Sequence, residues 1–98
     1  MTEVASYFDE VIASLTTEDT QLLGVLLDED ATAKFKAVPY RTAMTKGKLS
    51  EAILRKSVAR LTALQFIVLR TDSKEHGMFI TLYGQTALQK ILSMVEGN

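Results

Sequence analysis

The amino-acid sequence predicts a mainly helical α+β domain closed by one small β-hairpin. Three observations carry that expectation. Apolar residues recur at helical spacing over most of the chain, and Pro39, Gly47 and Ser50 punctuate its middle where short helices must stop and start. Two runs rich in β-branched and aromatic residues, 66–71 and 78–82, flank the turn-forming Asp72-Ser73-Lys74-Glu75-His76-Gly77. At 98 residues, 47% of them hydrophobic, the chain suffices for one domain with its own core and is too short for two.

Each element follows in turn. Val4, Tyr7, Phe8, Val11, Ile12 and Leu15 share one helical arc, with Glu3, Ser6, Asp9, Glu10 and Ala13 opposite, so residues 1–16 hold an amphipathic first helix. Thr16 or Thr17 caps a second helix, whose Glu18 and Asp19 complement its dipole and whose Leu22, Leu23, Val25, Leu26 and Leu27 are apolar nearly all round. That helix belongs at the centre of the core. Residues 31–38 fit either a short helix or an extended segment, and the helix is the expectation retained. Pro39 suits the first position of a third helix, 39–46, which Gly47 stops. Ser50 is a good cap for a fourth helix, 50–64, whose buried stripe is Ile53, Leu54, Val58, Leu61 and Leu64. After the hairpin, Thr81 caps a last helix, 83–96, with Ala87, Leu88, Ile91, Leu92, Met94 and Val95 on its apolar arc.

Composition removes several functions. There is no cysteine, which excludes disulfides, thiolate metal sites and cysteine nucleophiles, and the single His76 is expected to be an exposed turn residue. No metal site and no cofactor are expected. The apolar runs fall far short of the roughly 20 residues needed to cross a bilayer, and the amino terminus has no secretory signal, so a cytoplasmic protein is expected. The acids cluster in the first third at solvent-facing helical spacing rather than as a catalytic pair, so the chain is not expected to be an enzyme.

The net charge of −1 conceals a segregation. Residues 1–30 carry Glu3, Asp9, Glu10, Glu18, Asp19, Asp28, Glu29 and Asp30 and no Lys or Arg. Residues 31–70 carry Lys34, Lys36, Arg41, Lys46, Lys48, Arg55, Lys56, Arg60 and Arg70 against Glu51 alone. A sequestered basic block in a near-neutral chain points to a surface for an anionic polymer.

Helix, turn and helix followed at once by a hairpin is the winged-helix arrangement, and the sequence resembles bacterial and archaeal regulators of the MarR, ArsR and PadR type. The resemblance rests on Gly47-Lys48-Leu49-Ser50 as turn and cap. It rests also on Ser57-Val58-Ala59-Arg60-Leu61-Thr62-Ala63-Leu64-Gln65-Phe66-Ile67-Val68-Leu69-Arg70, similar to a recognition helix running into the first wing strand, and on Ile80-Thr81-Leu82-Tyr83-Gly84-Gln85-Thr86-Ala87-Leu88, similar to the phrase that ends the wing. Gln65-Phe66 departs from the family, which usually has glycine there, so that turn should close differently. The resemblance implies a winged helix-turn-helix with extra terminal helices that pair across a twofold axis.

The duplex major groove admits an α-helix, whose bases reach guanine edges or phosphate and whose alanines allow close approach. On 50–64 the face opposite the apolar stripe carries Ala52, Arg55, Lys56 and Ala59, the expected readers of bases. Ser50, Lys46, Lys48, Arg41 and Tyr40 are expected to hold the phosphate backbone, joined by Arg60 and, in the wing, by Arg70 and Lys74. Val4, Tyr7, Phe8, Val11, Ile12 and Leu15 of the first helix, with Leu88, Ile91, Leu92 and Val95 of the last, are the expected homodimer surface. The leading expectation is therefore a dimeric DNA-binding regulator, a repressor occupying its operator on double-stranded DNA. A winged-helix module for an acidic protein surface and a DNA-binding component of replication or of plasmid or phage maintenance stand as alternatives. The DNA-binding expectations require Arg55 and Lys56 to face water, uncovered by the fold and free of carboxylates from the acidic first third.

Overall fold

The computed structural model describes the backbone of residues 3–71 and 76–96 and the side chains of 7–71 and 76–94. Helix α1 (Glu3–Ala13) leads into α2 (Thr17–Asp28). Of the two candidate caps Thr16 is the one used. Its Oγ1 accepts from the Asp19 N–H at 3.1 Å, while Asp19 Oδ2 accepts from the Thr16 N–H at 3.0 Å, so two donors that a helix start leaves orphaned are satisfied together. Helix α2 runs through the middle of the molecule with Leu22, Leu23 and Leu26 wholly buried against α3, α4, α5 and the sheet, while Val25 is half-buried and Leu27 exposed, so its apolar surface is not covered all round.

Residues 31–38 do not form the expected helix. Lys34–Lys36 make one 3₁₀ turn, and Val38–Pro39 form strand β1. The physical reason is Pro39, which keeps Val38 out of the helical region and leaves it extended, buried opposite Met78. Pro39 has no N–H to give to a ladder, and it sits on an edge strand opposite Gly77. It is thus the cap of α3 (Tyr40–Gly47) and not its first residue.

Helix α4 (Glu51–Ala63) is capped by Ser50, whose Oγ accepts from the Ile53 N–H at 3.3 Å. Its buried row is Leu54, Ser57, Val58 and Leu61, the i, i+3, i+4, i+7 pattern of one helix face. Ile53, expected in that row, lies at its flank and is 40% exposed, and Leu64 is only half-buried. Strands β2 (Ile67–Arg70) and β3 (Gly77–Ile80) pair from Ile67 opposite Ile80 to Arg70 opposite Gly77, and the sheet order is β1-β3-β2. The architecture is a winged helix.

Helix α5 (Leu82–Glu96) begins where Thr81 Oγ1 accepts from the Gly84 N–H at 3.0 Å and donates to the Gln65 carbonyl at 2.7 Å. Gly84 has no room for a side chain. A Cβ there would stand 2.2 Å from the Phe66 carbonyl oxygen and 2.7 Å from Ile80 Cγ1.

Helices α2, α3 and α4 end by one device. Asp30, Lys48 and Gln65 take the left-handed conformation at φ 58, 55 and 65°. The N–H of the next residue then reaches back five positions, Ala31 to Leu26 at 2.8 Å, Leu49 to Met44 at 3.0 Å and Phe66 to Leu61 at 2.9 Å, and each of those next residues is buried. These are Schellman caps closed without glycine. Gly47, expected to stop α3, does not do so by its own conformation. It is the last helical residue, buried where a Cβ would meet Leu49 Cδ1 at 3.2 Å, and Lys48 makes the turn. Gln65 likewise makes the turn for which the resembled family uses glycine. No helix among the described residues is long and apolar enough to cross a membrane.

Candidate nucleic-acid interface

The turn between α3 and α4 sets the geometry of the basic surface. Because Lys48 is left-handed, Leu49 drops into the core and Ser50 emerges at the start of α4, with Lys48 and Ser50 both exposed. Burial of Leu54, Ser57, Val58 and Leu61 then turns Ala52, Arg55, Lys56 and Ala59 to solvent. The condition on which the sequence reading hung is met. Arg55 is 65% exposed and its ion-pair partner is on its own helix, while Lys56, Lys48 and Arg41 enter no ion pair among the described residues.

Arg55 is held in place. Glu51, one turn earlier, accepts on Oε2 from Arg55 Nε at 3.0 Å and Nη2 at 2.8 Å, and the guanidinium lies 5.9 Å from the centre of the Tyr40 ring on α3. The hydrogen bonds to Glu51 and its charge push the Arg55 pKa above its ordinary value. Pro39, Tyr40, Arg41, Met44, Glu51, Arg55 and His76 line one open groove between α3, α4 and the hairpin. Four of these, Pro39, Met44, Glu51 and His76, were not anticipated as site residues. Glu51 had a signal, its i,i+4 spacing to Arg55. His76 had none, since only the pairing of β3 with β1 carries it to the groove.

The acids of the first third fold back onto part of the basic block and onto Lys90 of α5. Asp19 meets Arg60 at 2.7 Å, Glu29 meets Lys46 at 3.6 Å, Asp30 meets Lys36 at 2.8 Å and Asp9 meets Lys90 at 3.2 Å. Arg60 is therefore a correction. Its Nε and Nη2 donate to the two oxygens of Asp19, which is 0% exposed, so the guanidinium serves the α2–α4 contact instead of a ligand. Burial alone would push the Asp19 carboxyl up, but the hydrogen bond from Arg60, the Thr16 N–H and the arginine's charge outweigh it and hold that carboxyl below its ordinary range.

The remaining candidates divide. Tyr40 is half-buried at the start of α3, and Lys46 is exposed in its last turn beside Glu29. Arg70, half-buried at the end of β2, lines a different groove with Lys34 and Phe79 and does not join Arg55. Lys74 lies outside the described residues, as do the side chains of Val4 and Val95. Of the apolar terminal residues, Ile12 and Leu88 are buried in the chain's own core and are not available to a partner, a second correction. Phe8, Val11, Leu15 and Ile91 are half-buried against that core, whereas Tyr7 and Leu92 are exposed.

The chain matches no protein-family model. It is 38% identical over 95 residues to the DNA-binding protein TubR of Priestia megaterium, an alignment covering 97% of this chain and 94% of that protein. The solved structure of TubR from Bacillus megaterium pBM400 superposes with a TM-score of 0.82 at 39% identity, covering 89% of this chain and 97% of that one. A MarR-family transcriptional regulator from Silicibacter pomeroyi superposes with a TM-score of 0.72 over 99% of this chain and 67% of its own, and at 13% identity it shares the fold alone.

Proposed function

Because the chain belongs to the family of the DNA-binding protein TubR, we propose that it is a winged-helix DNA-binding regulator that sets α4 into the major groove of double-stranded DNA. The observation that carries this reading is the solvent face of α4, where Arg55 and Lys56 stand among Ala52 and Ala59 with nothing folded over them. Arginine's fork matches the O6 and N7 acceptors of guanine, and small neighbours let the helix backbone approach the base edges. Lys48, Ser50 and Arg41, exposed around the start of α4, hold phosphates and set register. The wing adds Arg70, at the end of β2, at the margin.

The protein acts as a homodimer in the cytoplasm. Support for pairing comes from Tyr7 on α1 and Leu92 on α5, which are 70% and 49% exposed on elements that Asp9 and Lys90 tie together. A twofold axis through that surface would present two copies of α4 to successive major grooves, roughly 34 Å apart. Regulation then works by occupancy, and a repressed promoter and a maintenance site on a replicon call for the same contacts.

The test is anisotropy titration against duplexes selected from a random pool and against unselected duplexes. Arg55→Ala should lose discrimination by about 1 to 3 kcal/mol, and Lys48→Ala should weaken both classes alike. Affinity indifferent to both substitutions and to salt would remove the assignment.

A further inference from the structure

Glu51 is an anomaly on a surface read as meeting a polyanion. It is the single acid among the bases of residues 31–70, it stands in the first turn of α4, and its side chain is 60% exposed. An exposed pair at this spacing adds little to stability, so its effect is to be sought in what it does to Arg55. The geometry is specific about that. Glu51 Oε2 takes the side edge of the guanidinium, Nε and one Nη2 hydrogen, and Tyr40 from another helix lies against the same group. What remains is the end edge, both hydrogens of Nη1 and the second of Nη2. That edge still offers two parallel donors, one from each Nη, which suffice for a bidentate pair with guanine O6 and N7.

We propose that Glu51 is the specificity-determining residue of this interface, a positioning carboxylate that aims Arg55 at a guanine and denies it to the phosphates. The proposal rests on the DNA-binding reading above. A long arginine without a fixed partner reaches backbone oxygens of any sequence, which adds affinity and no information. With Glu51 in place the fork is already oriented before DNA arrives, and the carboxylate's own charge repels the nearest phosphate. Glu51 thus lowers affinity for DNA in general and raises the ratio between the right site and the rest.

The experiment uses the full chain and four proteins: wild type, Glu51→Ala, Arg55→Ala and the double variant, each checked for an unchanged thermal melt. Each is titrated against the duplex selected by the wild type, against unselected duplex, and against the selected duplex with 7-deazaguanine, which lacks the N7 acceptor, replacing its guanines one at a time. Glu51→Ala is expected to bind unselected duplex more tightly and to lose about tenfold in discrimination. One 7-deazaguanine position should weaken the wild type and leave Glu51→Ala and Arg55→Ala nearly unmoved, and Glu51→Ala should cost no further discrimination in the Arg55→Ala background. A merely structural role for Glu51 would not move the 7-deazaguanine response. Wild-type discrimination together with a Glu51→Ala protein that keeps both its ratio and its 7-deazaguanine sensitivity overturns this proposal alone. A wild type that selects no duplex overturns the DNA-binding reading and this proposal with it.

Discussion

Arg60 and Asp19 show how one residue's role turns on its neighbour. Without the Asp19 carboxylate beneath it, Arg60 would be one more base on α4, yet its fork closes on a group that water does not reach. Replacing Arg60 by Ala leaves that carboxylate buried and unpaired, and should cost about 2 kcal/mol once the arginine's exposed outer part is discounted. The pH dependence has a definite sign. The Asp19 carboxyl sits below its ordinary 3.8 in the folded chain, so its stabilisation is complete above that value and is lost as pH falls from 3.8 towards the lower folded value. Urea denaturation at neutral pH and near pH 3 should show that loss in the wild type and a smaller one in Arg60→Ala. Lys48 carries a different conflict, since it holds a left-handed backbone that suits glycine and a charge that suits phosphate. Lys48→Gly should raise stability by about 1 kcal/mol by relieving the left-handed strain. It should also weaken DNA binding and reduce the slope of log affinity against log salt by about 0.9. Melts and salt titrations of the same variant read the two effects in opposite directions.

At the scale of elements, the cap that ends one helix also delivers the next element. Each Schellman turn drops a buried residue, Ala31, Leu49 or Phe66, into the core just before the 3₁₀ turn, α4 or β2. The Ala31 carbonyl then accepts from the Ile80 N–H at 2.8 Å and the Phe66 carbonyl from Thr81 at 2.9 Å, so two of the three turns also anchor β3 and the start of α5. Gly84 is the point at which α5 presses on the second of these anchors. Gly84→Ala should destabilise the fold by about 3 kcal/mol, because the new methyl would meet a backbone oxygen that cannot move without pulling β2 from its register. An unfolding free energy, from chemical denaturation, that falls by less than about 1 kcal/mol would contradict the packing described.

On the scale of the whole molecule, charge is arranged by folding and not by sequence order. The acidic first third neutralises Arg60, Lys46 and Lys36, and the α4 face keeps Lys56 and an Arg55 whose partner is local. The chain extends 47 Å along its longest axis against 24 and 22 Å across, leaving Tyr7 and Leu92 on terminal helices outside the core. Leu92→Glu should therefore give a species of half the mass in multi-angle light scattering with an unchanged melt of the monomeric fold, and should bind a two-half-site duplex no more tightly than its separated halves. A wild type of monomer mass at micromolar concentration would remove the dimer.

By itself the sequence determined the five helices, the two strands of the hairpin and their order. Helical periodicity, Ser50 as cap, Pro39 as a break and the two β-rich runs are local signals, written in residues that act on their own backbone within a turn or two. The outward set Ala52, Arg55, Lys56 and Ala59 was legible for the same reason, because an apolar stripe defines its opposite face. Only the tertiary structure decided that residues 31–38 supply an edge strand, that Arg60 belongs to Asp19, that Ile12 and Leu88 are core, and that His76 reaches the Arg55 groove. Each of those depends on which surfaces meet across long stretches of chain, and such meetings are settled by burial and packing between elements, for which no single segment carries the pattern.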